Sequence, residues 1–198
     1  MMENQTQRSK LIVIEGPQGV GKTTYAEYIR ERLPYTNLYR LYGTNDNSPS
    51  GLTKSNKMYK ALLSYMKQLE GQGINLLFDR TFFTEFVYCN LGYKEYQFKD
   101  SFFKLLSKFV ELNFDIYYIT LYLEDTNKFK ERLDRGNKAK VKYAKFDISN
   151  SIDQQNEYLR VSKIIKRKYE NINCFDINTD RDINEVYNDL DNILNIER

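Results

Sequence analysis

The chain has 198 residues, 41% hydrophobic and 29% charged, which suits a single domain with a sizeable core. Its formal net charge of +3 is too small to call for a nucleic-acid partner by itself. The sequence has no histidine, which excludes Ser-His-Asp and Cys-His triads and any metal centre with a histidine ligand.

The first structural signal is Leu11-Ile12-Val13-Ile14, a continuous β-branched run that reads as a fully buried strand. A helix is predicted from about Lys22 to Leu33, with Ala26, Ile29 and Leu33 on one side and Pro34 beyond its end. Leu38 to Tyr42 reads as a second strand, followed by a polar loop from Gly43 to Gly51. Met58, Leu62, Tyr65 and Leu69 mark the apolar face of an amphipathic helix that Gly71 and Gly73 stop. Ile74 to Phe78 is a third strand, then come helical segments at Thr84–Leu91 and Ser101–Asn113. A fourth strand is expected at Ile116–Leu123 and a fifth at Asn173–Ile177, after a helix carrying Tyr158, Val161, Ile165 and Tyr169. A last helix spans Asp182 to Ile196, with Ile183, Val186, Tyr187, Leu190, Ile193 and Leu194 on one face. Five strands alternating with helices imply an α/β fold: a parallel sheet with helices on both faces.

Between the first strand and first helix stands Gly16-Pro17-Gln18-Gly19-Val20-Gly21-Lys22-Thr23-Thr24, a complete G-x-x-x-x-G-K-T. Its glycines let backbone N–H groups turn around phosphate oxygens, and the helix N-terminus adds its dipole. In this motif Lys22 reaches the β- and γ-phosphates of ATP and the Thr23 hydroxyl binds Mg²⁺. Asp79-Arg80-Thr81 stands at the carboxyl end of the third strand, the end of an α/β sheet where ligands bind. Asp79 can serve Mg²⁺ as a second group beside Thr23, and Arg80 can clamp a phosphate. A GTP switch is excluded, because Asn127-Lys128-Phe129-Lys130 lacks the Asp of N-K-x-D and Asp79-Arg80-Thr81-Phe82 lacks the Gly of D-x-x-G.

Ile14 to Thr24 resembles the P-loop of the thymidylate kinase family and of the deoxynucleoside kinases, and Asp79-Arg80-Thr81 resembles their Asp-Arg-Tyr or Glu-Arg-Ser signature. The ending Cys174-Phe175-Asp176-Ile177-Asn178, before a helix starting at Asp182, is similar to their last strand and helix. The resemblance implies a three-layer P-loop kinase fold with a five-stranded parallel sheet, ATP·Mg²⁺ as donor, and a nucleoside or nucleoside monophosphate as acceptor. Two departures stand out. Gln18 occupies a position that is usually acidic in thymidylate kinases. Gly43-Thr44-Asn45-Asp46 replaces both their Arg-Glu-Pro and the catalytic Glu of deoxynucleoside kinases, leaving Asp46 as the acid of that loop.

The segment from Lys128 to Gly136 reads as a helix with Phe129 and Leu133 on one face and Lys128, Arg132 and Arg135 on the next. Positions 128–145 carry eight basic residues against two acidic ones. This resembles the arginine-bearing lid of nucleotide kinases, placed at about 124–147, which closes over the transferring phosphoryl group and excludes water. A solvated basic face and a polynucleotide-binding strip are the competing readings of the same residues.

The sequence-based expectation is a single nucleotide kinase domain over residues 1–198, thymidylate kinase-like, with Lys22, Arg80, Arg132 and Arg135 as catalytic groups. Arg80 and Phe86 are the candidates to touch the acceptor, and Arg40 is a further candidate phosphate clamp. The alternatives are a deoxynucleoside kinase, a nucleic-acid-end kinase and a non-catalytic nucleotide-binding regulator. Cys89 and Cys174 lack metal-ligand spacing, and no apolar run reaches the ~18–20 residues of a membrane span. With the polar start Met1–Lys10, these imply a cytoplasmic protein without membrane or nucleic-acid partners, compatible with a homodimer.

Overall fold

The computed structural model describes residues 8–134 and 148–196. Five strands form one parallel sheet: β1 (Lys10–Glu15), β2 (Thr36–Arg40), β3 (Asn75–Asp79), β4 (Asp115–Tyr122) and β5 (Ile172–Asn178), in the order β2-β3-β1-β4-β5. β1 is the central strand and is buried along its whole length, which is why it reads as an unbroken apolar run. It pairs with β3 from Leu11↔Leu76 to Ile14↔Asp79, and with β4 from Lys10↔Asp115 to Glu15↔Thr120. The register thus brings Glu15 and Asp79 together at the carboxyl ends of neighbouring strands.

The helices are α1 (Lys22–Arg32), α2 (Gly51–Gln68), α3 (Phe82–Asn90), α4 (Lys99–Phe109), α5 (Lys128–Asp134), α6 (Ile148–Lys168) and α7 (Ile183–Leu194). Strand residues alternate between two cores. Leu11, Val13, Phe78 and Tyr118 join α2, α3, α4 and α6 on one face, while Ile12, Ile14, Leu77 and Ile119 join α1, α5 and α7 on the other. The result is the three-layer arrangement, because each half-apolar helix finds an apolar sheet face. In α7 the Asp182 side chain caps the first turn by accepting from the Asn184 N–H at 2.8 Å.

Two expectations on the first of these faces are corrected. The buried stripe of α2 is Ser55, Tyr59, Leu63 and Met66, with Met58, Leu62 and Leu69 only half-buried and Tyr65 39% exposed. A helix 18 residues long with apolar groups on adjoining rows allows either row inward, and the tyrosine hydroxyl of Tyr59 has a carboxylate to meet inside. Phe86 is 3% exposed and stacked on Phe102, with ring centroids 4.0 Å apart and planes 10° from parallel. It is a core side chain and not an acceptor contact, since the α4 aromatics supply a better partner than a solvent-facing cleft.

Candidate active site

The loop after β1 needs backbone shapes that only glycine adopts cheaply. Gly16, Gly19 and Gly21 have φ of 141°, 87° and 87°, and a Cβ on Gly16 would meet the Leu121 carbonyl oxygen at 2.5 Å. α1 begins directly at Lys22, so its unpaired N-terminal N–H groups and dipole face the loop. Lys22 is buried and its ammonium donates to the carbonyls of Gly16 at 2.8 Å and Pro17 at 2.5 Å. The ammonium therefore sits inside the ring of peptide groups that the motif builds for phosphate oxygens.

Across from the loop, the Thr23 hydroxyl donates to Asp79 Oδ2 at 3.4 Å. The other carboxylate oxygen, Oδ1, is buried without a hydrogen-bond partner among the described residues. No group of three or more acidic or cysteine residues gathers into a metal cluster among the described residues. A hydroxyl beside one half-used carboxylate suits Mg²⁺, which takes few protein ligands and keeps waters and phosphate oxygens as the rest.

Arg80 follows with φ of 75°, a left-handed backbone that costs a non-glycine residue about 1–2 kcal/mol. Its N–H continues the ladder to the Ile14 carbonyl at 3.1 Å. Burial works against its charge, but Tyr88, Tyr158, Asp79 and Glu15 around it hold the guanidinium proton more firmly than usual.

Glu15, the last residue of β1, organises this turn. It is fully buried and accepts from the Thr81 N–H at 2.8 Å, the Thr81 hydroxyl at 3.2 Å and the Thr84 hydroxyl at 2.5 Å. Burial raises its carboxyl to about 7, against which Thr84, Thr81, Arg80 and Lys22 pull in part. A carboxyl that binds its proton more tightly folded than unfolded favours the folded state in acid. Its contribution is complete below about 4.5 and is lost as pH rises through about 7, by up to about 3 kcal/mol. Glu15→Gln should escape that loss, so its melting temperature relative to the wild type should climb between pH 5 and pH 8.5. A difference that stays flat across that range would contradict the assignment.

Beside the turn lies a cleft lined by the loop after β2 (Tyr42, Gly43, Thr44, Asn47), by Thr84, Glu85 and Tyr88 of α3, by Tyr93 and Lys94, and by Gln154 of α6. Tyr88 and Tyr93 are thus the members of the aromatic run that reach a cavity. Glu85 is 1% exposed and accepts from the hydroxyls of Tyr96 and, at 3.4 Å, Tyr59. Lys94 lies 3.7 Å from Glu85 and donates to the Thr44 carbonyl at 2.7 Å. A Cβ on Gly43 (φ 73°) would come within 2.9 Å of Glu85 Oε2, so glycine lets the loop lie against the carboxylate. In the sequence Glu85 is marked as the lone charge in the run Phe82–Tyr88, where Thr84 is the other residue that is neither aliphatic nor aromatic.

Asp46 and Arg40 do not join this site. Asp46 takes bonds from Lys54 at 2.5 Å, from the Ser48 hydroxyl and N–H at 2.6 and 3.0 Å, and from Ser50 at 2.7 Å. These donors, Lys54 foremost, hold its carboxyl well below the usual range, so Asp46 fastens the loop and is a poor base. Arg40 pairs with Glu27 of α1 instead.

α5, the helix expected to form the lid, is placed against the phosphate loop. A Cβ on Gly19 would touch Phe129, Arg132 and Leu133, each at 3.6 Å. The Arg132 guanidinium donates to the Thr179 carbonyl at 2.5 Å and hydroxyl at 3.4 Å, beyond the end of β5. Lys128 pairs with Asp180 at 2.5 Å. Arg135, Gly136 and the basic run to Lys145 lie outside the described residues. Among those described, no helix is long and apolar enough to cross a membrane.

No protein-family model matches the chain, and no curated protein does. Solved structures do. A thymidylate kinase from Candida albicans superposes with a TM-score of 0.69 at 18% identity, covering 95% of this chain and 92% of that one. A thymidylate kinase from Ehrlichia chaffeensis gives 0.62 at 18% identity over 94% and 99%. Deoxyadenosine kinase from M. mycoides gives 0.56 at 21% identity over 93% and 98%. The chain has the thymidylate/deoxynucleoside kinase-like fold that the motifs of the first strand and third strand imply.

Proposed function

We propose that the chain is an ATP·Mg²⁺-dependent kinase that transfers the γ-phosphoryl group to a small nucleoside-type acceptor, in the first place a deoxynucleoside monophosphate. One observation carries this reading. Thr84 lines the cleft and at the same time hydrogen-bonds Glu15, the residue that leads into the phosphate loop. The cleft and the phosphate loop are therefore neighbours across one buried hydrogen bond, which supports bringing two bound molecules together for in-line transfer.

In such a transfer an acceptor oxygen attacks the γ-phosphorus while the bond to the β–γ bridging oxygen breaks, and the protein's part is positioning and charge neutralisation. Lys22 and the α1 N-terminus hold the donor's phosphates, and Arg80 bridges toward the acceptor. Thr23 and Asp79 would hold Mg²⁺, which supplies neutralisation of the phosphate charge when bound. A monophosphate oxygen arrives without a proton to remove. That agrees with a chain that has no histidine and whose loop acid, Asp46, is held strongly ionised. A free deoxynucleoside is the second reading, favoured by a different fact: of the described cations Lys94, Arg40 and Arg80, Lys94 is spent on Glu85 and Arg40 on Glu27, leaving Arg80 of these three for an acceptor phosphate.

ADP release with ATP·Mg²⁺ and a panel of deoxynucleosides and their monophosphates decides between them. Turnover of monophosphates supports the first reading and turnover of free nucleosides alone the second. No acceptor-dependent release with either set would end the kinase proposal.

Arg132 gives a further expected result. If its guanidinium leaves Thr179 for the transferring phosphoryl group, it acts mainly in the transition state, and kcat and kcat/KM of Arg132→Ala should fall together by about 10²-fold. A rise in KM alone, with kcat intact, would reduce Arg132 to an anchor for α5.

A further inference from the structure

The cleft wall supplied by α6 holds one group whose chemistry the rest of the site leaves open. Gln154 is 3% exposed and lines the cleft, and its side-chain carbonyl oxygen has no hydrogen-bond partner among the described residues. Its neighbour Gln155 differs sharply. That amide accepts from the Leu123 N–H at 2.8 Å and donates to the Leu123 carbonyl at 2.9 Å, pinning α6 to the end of β4. One turn further along α6, the Tyr158 hydroxyl meets Thr84 at 2.8 Å, which fixes the same helix to α3. Gln154 directly precedes these two anchors on α6, so its place in the cleft wall is fixed by the helix and its free oxygen is not a consequence of a loosely placed element. Unpaired buried acceptors are rare in native proteins, and each calls for a reason.

We infer that Gln154 is a specificity-determining residue of the acceptor cleft, whose carbonyl oxygen takes a hydrogen bond from an N–H of the nucleobase or an O–H of the sugar on the bound acceptor. The inference rests on the reading of this cleft as the acceptor site. An amide carbonyl only accepts, so its partner must be a donor. Phosphate oxygens are thereby excluded at neutral pH, as are the carbonyl and unprotonated ring-nitrogen positions of a base. The electrostatics agree: Lys94, the cation in the cleft wall, is balanced by Glu85, so the cleft receives the uncharged nucleoside portion and leaves any phosphate to the Arg80 side. A site built around a hydrogen bond rejects an analogue lacking it, because the buried group is then left unpaired.

The test is calorimetric titration, in the presence of a non-hydrolysable ATP analogue, of deoxynucleosides and their monophosphates into the wild type, Gln154→Met and Gln154→Asn. For an acceptor that binds the wild type, two analogues follow, one lacking the 3′-hydroxyl and one methylated on the base N–H. One analogue should bind the wild type about ten- to a hundredfold more weakly than its parent, and Gln154→Met should bind parent and analogue alike. The analogue that shows the effect names the source of the donor. Gln154→Asn withdraws the carbonyl while keeping the amide, so it carries the same expectation should the Met variant fail to fold. Equal discrimination by wild type and variants, or no binding of any nucleoside or nucleotide to the wild type, overturns the inference. Turnover of the same panel is read separately: binding without turnover counts against the kinase reading and leaves the role of Gln154 to be decided by the titrations.

Discussion

Lys22→Ala should lower phosphoryl transfer by 10²–10³-fold or more while the protein stays folded, as measured by kcat/KM for ATP alongside a thermal melt. The ammonium is the one cation enclosed by the loop in the described structure, held by the Gly16 and Pro17 carbonyls at 2.8 and 2.5 Å. Its removal takes away a charge aimed at the β- and γ-phosphates without touching the glycine backbone that shapes the cradle. The structural penalty is bounded: two hydrogen bonds from a charged donor are lost, but so is the cost of burying the charge. Lys22→Arg separates charge from shape. The guanidinium fork is too wide for a position that is 6% exposed, so retention of charge should rescue little. Wild-type transfer by either variant would remove the phosphate loop from the chemistry.

Much of this architecture is legible in the sequence because the central strands are buried on both faces. β1 and β4 appear as plain apolar runs, and their limits fall within one residue of those expected. The edge strand β2 is displaced by two residues toward the N-terminus, at Thr36–Arg40 where Leu38–Tyr42 was expected. Its half-exposed side chains carry no sharp pattern, and the register is set by β3 through Thr36↔Asn75. The phosphate loop and the Asp79-Arg80 turn are legible for a different reason: their chemistry depends on backbone shape and on residues a few positions apart. The cleft beside this turn is neither local nor periodic. Glu85, Lys94, Thr44 and Gln154 come from four separate segments, and only the fold makes neighbours of them. The place of Phe86 is illegible for a related reason, because an aromatic suited to a nucleobase is equally suited to Phe102, and helical spacing cannot tell the two partners apart. Glu15 lay hidden as the polar end of an apolar run, although its buried hydrogen bonds to Thr81 and Thr84 hold the turn on which Arg80 sits.

That turn yields the second large effect, in which stability and activity should part company. Arg80 combines a strained backbone, φ 75°, with a guanidinium set among Asp79, Glu15, Tyr88 and Tyr158. Strain of about 1–2 kcal/mol persists in a protein only where the surroundings enforce it, and here the Glu15 hydrogen bonds to the next residue do so. Removing the side chain as Arg80→Ala keeps the strain, whereas Arg80→Gly relieves it. Both substitutions should cut kcat/KM by about 10²–10³-fold if the guanidinium meets phosphate. Arg80→Gly should nevertheless be more stable than Arg80→Ala by roughly 1 kcal/mol, after allowing for the greater freedom of glycine in the unfolded chain. Arg80→Lys keeps the charge and loses the planar fork, so it should restore only a small part of the activity and should fail most with a monophosphate acceptor. Equal melting of the glycine and alanine variants would mean that the left-handed turn stores no strain. Full activity in Arg80→Lys would mean that a point charge suffices, and the clamp would then be electrostatic attraction rather than a two-pronged hydrogen bond.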